Sequence, residues 1–266
     1  MAPRRFYRRP GPPQGRAGSN DLSPGYNRED GRKLGQSGGN GRRGTVVFDL
    51  DGTLADTAAD LIAAADACLA AAGHGAGRID PAADAVTAGR GGRALLRLGL
   101  SRSGRAWSEA EVDRLYGPFL AEYEARIDRE TRLYDGAAEA VRALRAGGLA
   151  AAVCTNKPER LAELLLARLG VRGLFAAVIG ADSLPVRKPD PLPYRAAVER
   201  AGGEVARSLL VGDTETDRQT ALAAGVPALL VTFGPQGAGV GRLLPDALVH
   251  RFADLPATVA RFLPLA

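Results

Sequence analysis

The sequence predicts an α/β protein in which a Rossmann-like, doubly wound parallel sheet carries an inserted helical cap subdomain. From about residue 134 onward, short apolar runs rich in strand formers alternate with segments of helical periodicity. A block over about residues 60–130 has helical periodicity only, and it follows the first apolar run. Strands that alternate with helices form parallel sheets covered on both faces, so the helical block is predicted to interrupt one such sheet.

Three segments follow from this pattern. Residues 1–43 are predicted to be a disordered basic tail, because they are rich in Arg, Gly, Pro and Ser and have almost no periodic apolar residues. Residues 44–59 and 131–266 are predicted to form the α/β core, with residues 60–130 as the cap. The tail holds ten Lys or Arg and three acidic residues, whereas the remainder holds 25 and 27, so the net charge of +5 arises in the tail. The charge therefore gives no support for nucleic-acid binding by the folded body.

The first predicted strand, Val46–Phe48, ends in two carboxylates, Asp49 and Asp51. Residues two apart in an extended segment point to the same side, at the strand end where open α/β sheets bind ligands. Two like charges ~4 Å apart repel by ~4 kcal/mol at an effective dielectric of 20, so such a pair needs a proton, a cation or a function. Gly52 permits the sharp exit of the chain after them.

The block that follows is predicted to be helical, without a strand. Asp56 is a plausible N-cap of a helix that runs to Ala72, and Gly73 is a suitable end. Ser108 with Glu111 has the form of a capping box. The further helical segments are Pro81–Thr87, Arg93–Leu98 and Ser108–Ile127.

Beyond residue 134 the apolar runs are predicted to be buried strands, and the amphipathic segments between them helices. The predicted strands are Leu149–Cys154, Ala177–Ile179, Leu209–Val211, Ala228–Val231 and Ala247–Val249. The predicted helices are Ala137–Arg145, Pro158–Leu169, Pro191–Arg200, Asp217–Ala224 and Ala253–Phe262.

Polar residues follow several of these strands, although they are far apart in sequence. In a parallel sheet all carboxyl ends lie on one edge, so these side chains are predicted to converge in one crevice. They are Asp49, Asp51, Thr155, Asn156, Lys188, Asp213 and Asp217.

The order of these motifs resembles that of the haloacid dehalogenase superfamily, over Thr45 to Phe262. The motifs are DxDGTLxD from Asp49, a Thr at a strand end, Lys-Pro at residue 188, and GDxxxD from Gly212. The strings TNKP, RKPDP and GDTETD look most like the phosphoglycolate phosphatase branch of that superfamily. The resemblance implies a Mg²⁺-dependent phosphomonoester hydrolase that works through an aspartyl-phosphate, with 2-phosphoglycolate as the expected substrate.

The residues have roles that suit this chemistry. Asp49 is the candidate nucleophile, and Asp51 is the candidate general acid for the leaving alkoxide and then the base for the attacking water. Mg²⁺ prefers hard oxygen ligands. The resemblance implies that Asp49, the backbone carbonyl of Asp51 and Asp213 bind it. Superfamily members that cleave carbon–halogen bonds lack the acid at position 51, so its presence favours phosphoryl transfer.

The remaining candidates are expected to bind the transferring phosphoryl group or to orient those that do. Thr155, Asn156 and Lys188 are predicted phosphate ligands, with Lys188 acting as a point charge. Asp217 is predicted to orient a water molecule or Lys188.

Substrate choice is predicted to depend on the cap, at the loop 89–93. Arg90 or Arg93 is a candidate to receive a small carboxylate such as that of glycolate, and the alternative is that both arginines face solvent. The cap region to Ile127 has no lysine, which argues against the Schiff-base chemistry of phosphonate-cleaving relatives.

Two alternatives remain open at this point. One is a phosphatase or mutase for another small phosphate ester, such as a sugar phosphate. The other is a non-catalytic RNA- or protein-binding module that uses the basic tail. The expected partner is a small phosphate ester, with no membrane and with nucleic acid at the tail only, in a monomer or homodimer. The lack of an apolar run long enough to span a bilayer predicts a cytoplasmic location.

Overall fold

Six parallel strands form the central sheet of the protein, in a computed structural model that describes residues 43–265. These strands are β1 Arg43–Phe48, β4 Ala150–Cys154, β5 Ala177–Ile179, β6 Gly203–Gly212, β7 Ala228–Val231 and β8 Ala247–Val249. Their order in the sheet is β5-β4-β1-β6-β7-β8, so the predicted parallel sheet is confirmed. The predicted tail lies outside the described residues except for Arg43, which begins the first strand. The two strands outside this sheet are β2 Ala55–Asp56 and β3 Arg132–Leu133.

The helices occur where the periodicity predicted them, and their ends differ from the predicted ends by a few residues. They are α1 Ala58–Ala71, α2 Ala85–Ala88, α3 Gly92–Ser101, α4 Glu109–Glu124, α5 Ala137–Ala146, α6 Glu159–Arg168, α7 Pro191–Arg200, α8 Glu215–Ala224 and α9 Leu255–Ala260. None of these helices is both long enough and apolar enough to cross a bilayer.

The two faces of the sheet bury alternate residues of β1. Val46 and Phe48 pack into a large cluster that includes residues of α5 and α6. Val47 lies in a second cluster, which includes residues of α7 and α8. Because both faces are covered, β1 is apolar at every position from residue 46 to 48.

The predicted capping box at Ser108 is wrong. Ser108 is the N-cap of α4, but its side chain makes no capping hydrogen bond. A capping box occurs instead at α8, where Thr214 accepts from the backbone of Asp217 and Asp217 accepts from the backbone of Thr214. Both N-cap residues have an extended backbone, and the two helices differ in the acidic residue at the third position, Glu111 in α4 and Asp217 in α8.

A two-stranded antiparallel ribbon that the sequence analysis missed flanks the helical block. Its strands β2 and β3 pair Ala55 with Leu133 and Asp56 with Arg132. Two residues per strand are too few to show a period in the sequence. The helices α1, α3 and α4 come between β2 and β3 in the chain, and α1 packs against α3 and α4. Residues 43–265 all belong to one compact unit. The division into core and cap stays a prediction.

Asp60, near the start of α1, forms hydrogen bonds with the residues just before β3, at the end of the helical block. Its buried Oδ2 accepts hydrogen bonds from the Glu130 backbone N–H at 3.0 Å, the Thr131 N–H at 2.9 Å and the Thr131 hydroxyl at 2.8 Å. Buried donors without partners are costly, so this single carboxylate holds the ribbon end in place.

We expect Asp60→Ala to lower the free energy of unfolding by roughly 2–4 kcal/mol, since it leaves three donors without their charged acceptor. Urea unfolding followed by circular dichroism measures the change. The control is Asp128→Ala, at an exposed position in the same part of the chain, which is expected to change stability by less than about 0.5 kcal/mol. Equal effects of the two variants would contradict the role of Asp60.

Candidate active site

A cavity of about 330 Å³ lies where the ends of the sheet strands meet the helical block. Most of the predicted site residues line it. Of the other two, Asp217 contacts Lys188, and Asp213 has an oxygen within 4.8 Å of one of Asp49. The predicted residues that line the cavity are Asp49, Asp51, Arg90, Arg93, Thr155, Asn156 and Lys188. The convergence expected from parallel topology is therefore present in the structure.

Asp49 follows β1 directly and is held by its neighbours on β6. Its backbone N–H donates to the Val211 carbonyl at 2.9 Å, and its Oδ1 accepts from the Leu50 N–H at 2.8 Å. The side chain is buried apart from its contact with the cavity. Burial raises the pKa of Asp49 to about 6, although Lys188 works against the shift, and the charge of Asp217 adds to it.

Lys188 bridges two carboxylates in the interior. Its Nζ lies 2.6 Å from Asp217 Oδ1 and 3.1 Å from Asp49 Oδ1. Burial by itself would lower the pKa of Lys188, but Asp217 and Asp49 outweigh it and raise that pKa, so the side chain is an ammonium. Asp217 Oδ2 accepts from the Thr214 hydroxyl at 2.6 Å and the Thr214 N–H at 3.1 Å, so both oxygens of Asp217 are in use.

Asp213, directly after β6, has one engaged oxygen and one without a partner. Oδ1 accepts from the Thr53 hydroxyl at 2.8 Å, whereas buried Oδ2 has no hydrogen bond within the described residues. Burial, with the charges of Asp217 and Asp49, raises the pKa of Asp213 well above its usual value. Oxygens of Asp49, Asp213 and Asp217 lie within 4.8 Å of one another.

Gly52 keeps the space beside Asp213 open. A Cβ at this position would lie 2.4 Å from Asp213 Oδ2, and the φ of +80° is one that residues with a side chain rarely adopt. A buried carboxylate oxygen without a donor, beside two further carboxylates, suits a small hard cation. The residues present therefore fit a divalent metal ion.

Asp51 is held by a different lysine, which the sequence analysis did not single out. Lys157 Nζ donates to Asp51 Oδ1 at 2.6 Å and Oδ2 at 2.8 Å. The ammonium also lies 4.5 Å from the centre of the Tyr123 ring of α4. The only signal in the sequence was the string TNKP after β4, which gives no indication that this lysine turns back into the site.

The two polar residues after β4 support the site in different ways. Thr155 is buried, and its hydroxyl accepts from the Lys157 backbone N–H at 3.2 Å. The Asn156 side-chain amide donates to the Lys188 carbonyl at 3.1 Å, so it fastens the loop that carries Lys188.

The two predicted arginines, Arg90 before α3 and Arg93 within it, differ in their surroundings. The Arg93 guanidinium forms an ion pair with Asp113 and lies 4.4 Å from the centre of the Tyr116 ring. Arg90 is exposed, and its guanidinium has no partner among the described residues. Arg187, directly before Lys188, is a further exposed arginine that lines the cavity.

The raised pKa of Asp49 predicts that the metal-free protein is stabilised by Asp49→Asn at high pH. In the folded state this pKa is about 6 against 3.8 for the ordinary group, so stability falls as the pH rises from about 4 to 6. Asparagine cannot ionise and avoids this loss. We expect the variant to gain about 1–3 kcal/mol at pH 8 and little at pH 4.5.

Urea unfolding in the presence of a chelator, at both pH values, measures this difference. Asp128→Asn, at an exposed position, serves as the control and is expected to change little at either pH. A variant less stable than the parent at pH 8 would show that the ion pair with Lys188 outweighs burial of the charge.

Comparison with known proteins gives consistent matches. The model of the haloacid dehalogenase-like hydrolase family matches residues 44–225. Phosphoglycolate phosphatase of Agrobacterium fabrum is 40% identical over 79% of this chain and 89% of its own length. Phosphoglycolate phosphatase of Mesorhizobium japonicum is 38% identical over 82% of this chain and 95% of its own length. The crystal structure of a predicted phosphoglycolate phosphatase from Haemophilus somnus is 26% identical, with a TM-score of 0.72, over 83% of this chain and 99% of that one.

Proposed function

The chain belongs to the haloacid dehalogenase-like hydrolase family and is a phosphoric monoester hydrolase, and we propose that it hydrolyses 2-phosphoglycolate to glycolate and phosphate with Mg²⁺. The observation that carries this proposal is the pairing of Asp49 and Asp51 with two different buried lysines at one cavity. In phosphate ester hydrolysis the nucleophile attacks phosphorus, and the acid–base group acts on the leaving oxygen at the other end of the same bond. The separate lysine partners hold Asp49 and Asp51 in two different positions, as these two roles require. The names of the relatives support the choice of substrate.

In the first step an Asp49 carboxylate oxygen forms a bond to phosphorus while the bond from phosphorus to the leaving oxygen breaks. Asp51, as the general acid, gives a proton to that oxygen, and glycolate leaves. In the second step Asp51, now a carboxylate, takes a proton from the attacking water. The bond from phosphorus to Asp49 then breaks and phosphate is released.

The groups around Asp49 hold the phosphoryl group between these steps. Lys188 supplies a positive charge beside Asp49, and Thr155 supplies a hydroxyl. Asn156 contributes indirectly, since its hydrogen bond to the Lys188 carbonyl holds the loop that carries Lys188. Asp217, whose two oxygens are already engaged, positions the Lys188 ammonium.

Asp49, Asp213 through its unpartnered Oδ2, and the Asp51 backbone carbonyl would hold the Mg²⁺. When bound, this ion offsets the repulsion between an anionic phosphate and the Asp49 carboxylate. Arg90, with a free guanidinium beside the cavity, would attract the anionic substrate. We also propose a cytoplasmic location, which the two buried, unpaired cysteines Cys68 and Cys154 support.

The test is phosphate release from a panel of phosphate esters, with and without Mg²⁺, beside an Asp49→Asn control. We expect metal-dependent release with 2-phosphoglycolate as the preferred substrate. Release led by a sugar phosphate would keep the reaction class and replace the substrate. No release from any ester would contradict the proposed function, and binding of RNA by the full chain would then favour the basic tail as the functional element.

A further inference from the structure

We propose that Lys157 binds the anionic group of the leaving alcohol, and so selects phosphate esters of small hydroxy acids. The inference rests on the proposed function, since it assigns the residue that receives the carboxylate of 2-phosphoglycolate.

The position of Lys157 relative to Asp51 places it at the correct end of the substrate. Its Nζ lies 2.6 and 2.8 Å from the two oxygens of Asp51. A general acid must come within about 2.6–3.2 Å of the leaving oxygen, so that oxygen lies no more than about 6 Å from Nζ. In glycolate the carboxylate is one methylene group away from this oxygen, which is short enough for a carboxylate oxygen to be placed against the ammonium.

One buried hydrogen-bond donor at this point has no acceptor in the described residues. The hydroxyl of Tyr123 is buried, lines the cavity and donates to no described residue. The Lys157 ammonium beside the Tyr123 ring has donors only, so it cannot accept the proton of this hydroxyl. Burial raises the pKa of Tyr123 to about 12, so this hydroxyl keeps its proton and can donate it to a carboxylate. An unpartnered buried hydroxyl beside a buried ammonium suits an anionic ligand.

The other cations that line the cavity in the described chain are less suitable. Lys188 lies beside the nucleophile Asp49, away from the leaving group. Arg97 is exposed and paired with Glu109, and Arg93 is partly exposed and paired with Asp113. Arg90 and Arg187 are exposed, where water weakens the attraction.

Apolar side chains share the lining of the cavity with Lys157. Phe119 and Leu120 of α4 and Leu161 of α6 line the same cavity. Apolar walls exclude water and strengthen the attraction between an ammonium and a carboxylate. A leaving group as small as glycolate fits this description better than a sugar, whose hydroxyl groups would need partners.

The experiment compares two substrates of nearly equal size, 2-phosphoglycolate and ethyl phosphate, which has a methyl group in place of the carboxylate. The measured quantity is the ratio of their kcat/KM values. We expect Lys157→Met to lower this ratio about 10- to 100-fold, the loss of one or two charge-assisted hydrogen bonds. Lys157→Gln, which still donates to Asp51, is expected to lower it in the same direction and replaces the Met variant if that variant does not fold.

Tyr123→Phe is expected to lower the ratio by a smaller factor, since it removes one neutral donor. Arg187→Met removes an exposed cation beside the same cavity and serves as the matched control, with a ratio within about threefold of the parent. The binding readout is calorimetric titration of 2-phosphoglycolate into Asp49→Asn protein with and without Lys157→Met, where the second substitution is expected to weaken binding by a similar factor.

The outcomes separate this inference from the proposed function. A parent protein that prefers 2-phosphoglycolate, with a Lys157→Met variant that keeps the preference, overturns the role of Lys157 alone. Preference for the phosphate of another hydroxy acid that disappears in Lys157→Met overturns the substrate alone and supports Lys157. Preference for ethyl phosphate over every carboxylate ester overturns both.

Discussion

Asp49→Asn is expected to reduce phosphate release by about four orders of magnitude or more, because the amide cannot form the bond to phosphorus. The fold should persist, since Asn retains an oxygen that accepts from the Leu50 N–H, at 2.8 Å in the parent. The loss should be the same for every ester tested, whatever its leaving group. Steady-state phosphate release measures it, with circular dichroism to confirm the fold.

Asp51→Asn provides the comparison that separates the two carboxylates. Its loss is expected to be about 10²–10⁴-fold for an alkyl phosphate, which needs protonation of the leaving group. It should be much smaller for p-nitrophenyl phosphate, whose leaving group departs as a stable anion. If Asp49→Asn showed this dependence and Asp51→Asn did not, the assignments of nucleophile and acid would have to be exchanged.

The position of these carboxylates was predictable because it depends on topology. Once the sheet is parallel, residues after β1, β4 and β6 must lie on one edge, so Asp49, Thr155 and Asp213 come together whatever the details of the loops. The apolar runs that define the strands are visible in the sequence. The alternation of strands and helices was therefore enough to predict that residues more than a hundred positions apart lie in one crevice.

The partners of these residues were not predictable in the same way. Lys157 follows Thr155 by two residues in sequence, yet its ammonium contacts Asp51 and lies over the ring of Tyr123. That direction depends on a side chain from α4, and no periodicity in the sequence reports how α4 packs over the sheet. Similarly, the sequence gives no reason to distinguish Arg90 from Arg93. The ion pair between Arg93 and Asp113 of α4 becomes visible only when the packing of α4 is known.

Lys188→Met is expected to lower the free energy of unfolding of the metal-free protein by about 3–5 kcal/mol at pH 8, because it leaves Asp49 and Asp217 as buried carboxylates without their cation. Lys188 works against the raised pKa of Asp49, so its removal raises that pKa further above the value of about 6. The carboxylate then takes up a proton more readily as the pH falls, and a proton relieves the unpaired charge. The penalty should therefore be largest above pH 6 and clearly smaller at pH 5.

Urea unfolding in a chelator at pH 5 and pH 8 measures this penalty. Arg187→Met, at the exposed neighbouring position, is the matched control and is expected to change stability by less than about 0.5 kcal/mol at either pH. Turnover at pH 8 should fall by at least about 10²-fold in Lys188→Met, since the charge that faces the phosphoryl group is lost. A penalty that is equal at both pH values would mean that the loss comes from packing of the lysine stem, and the electrostatic account of Lys188 would then be wrong.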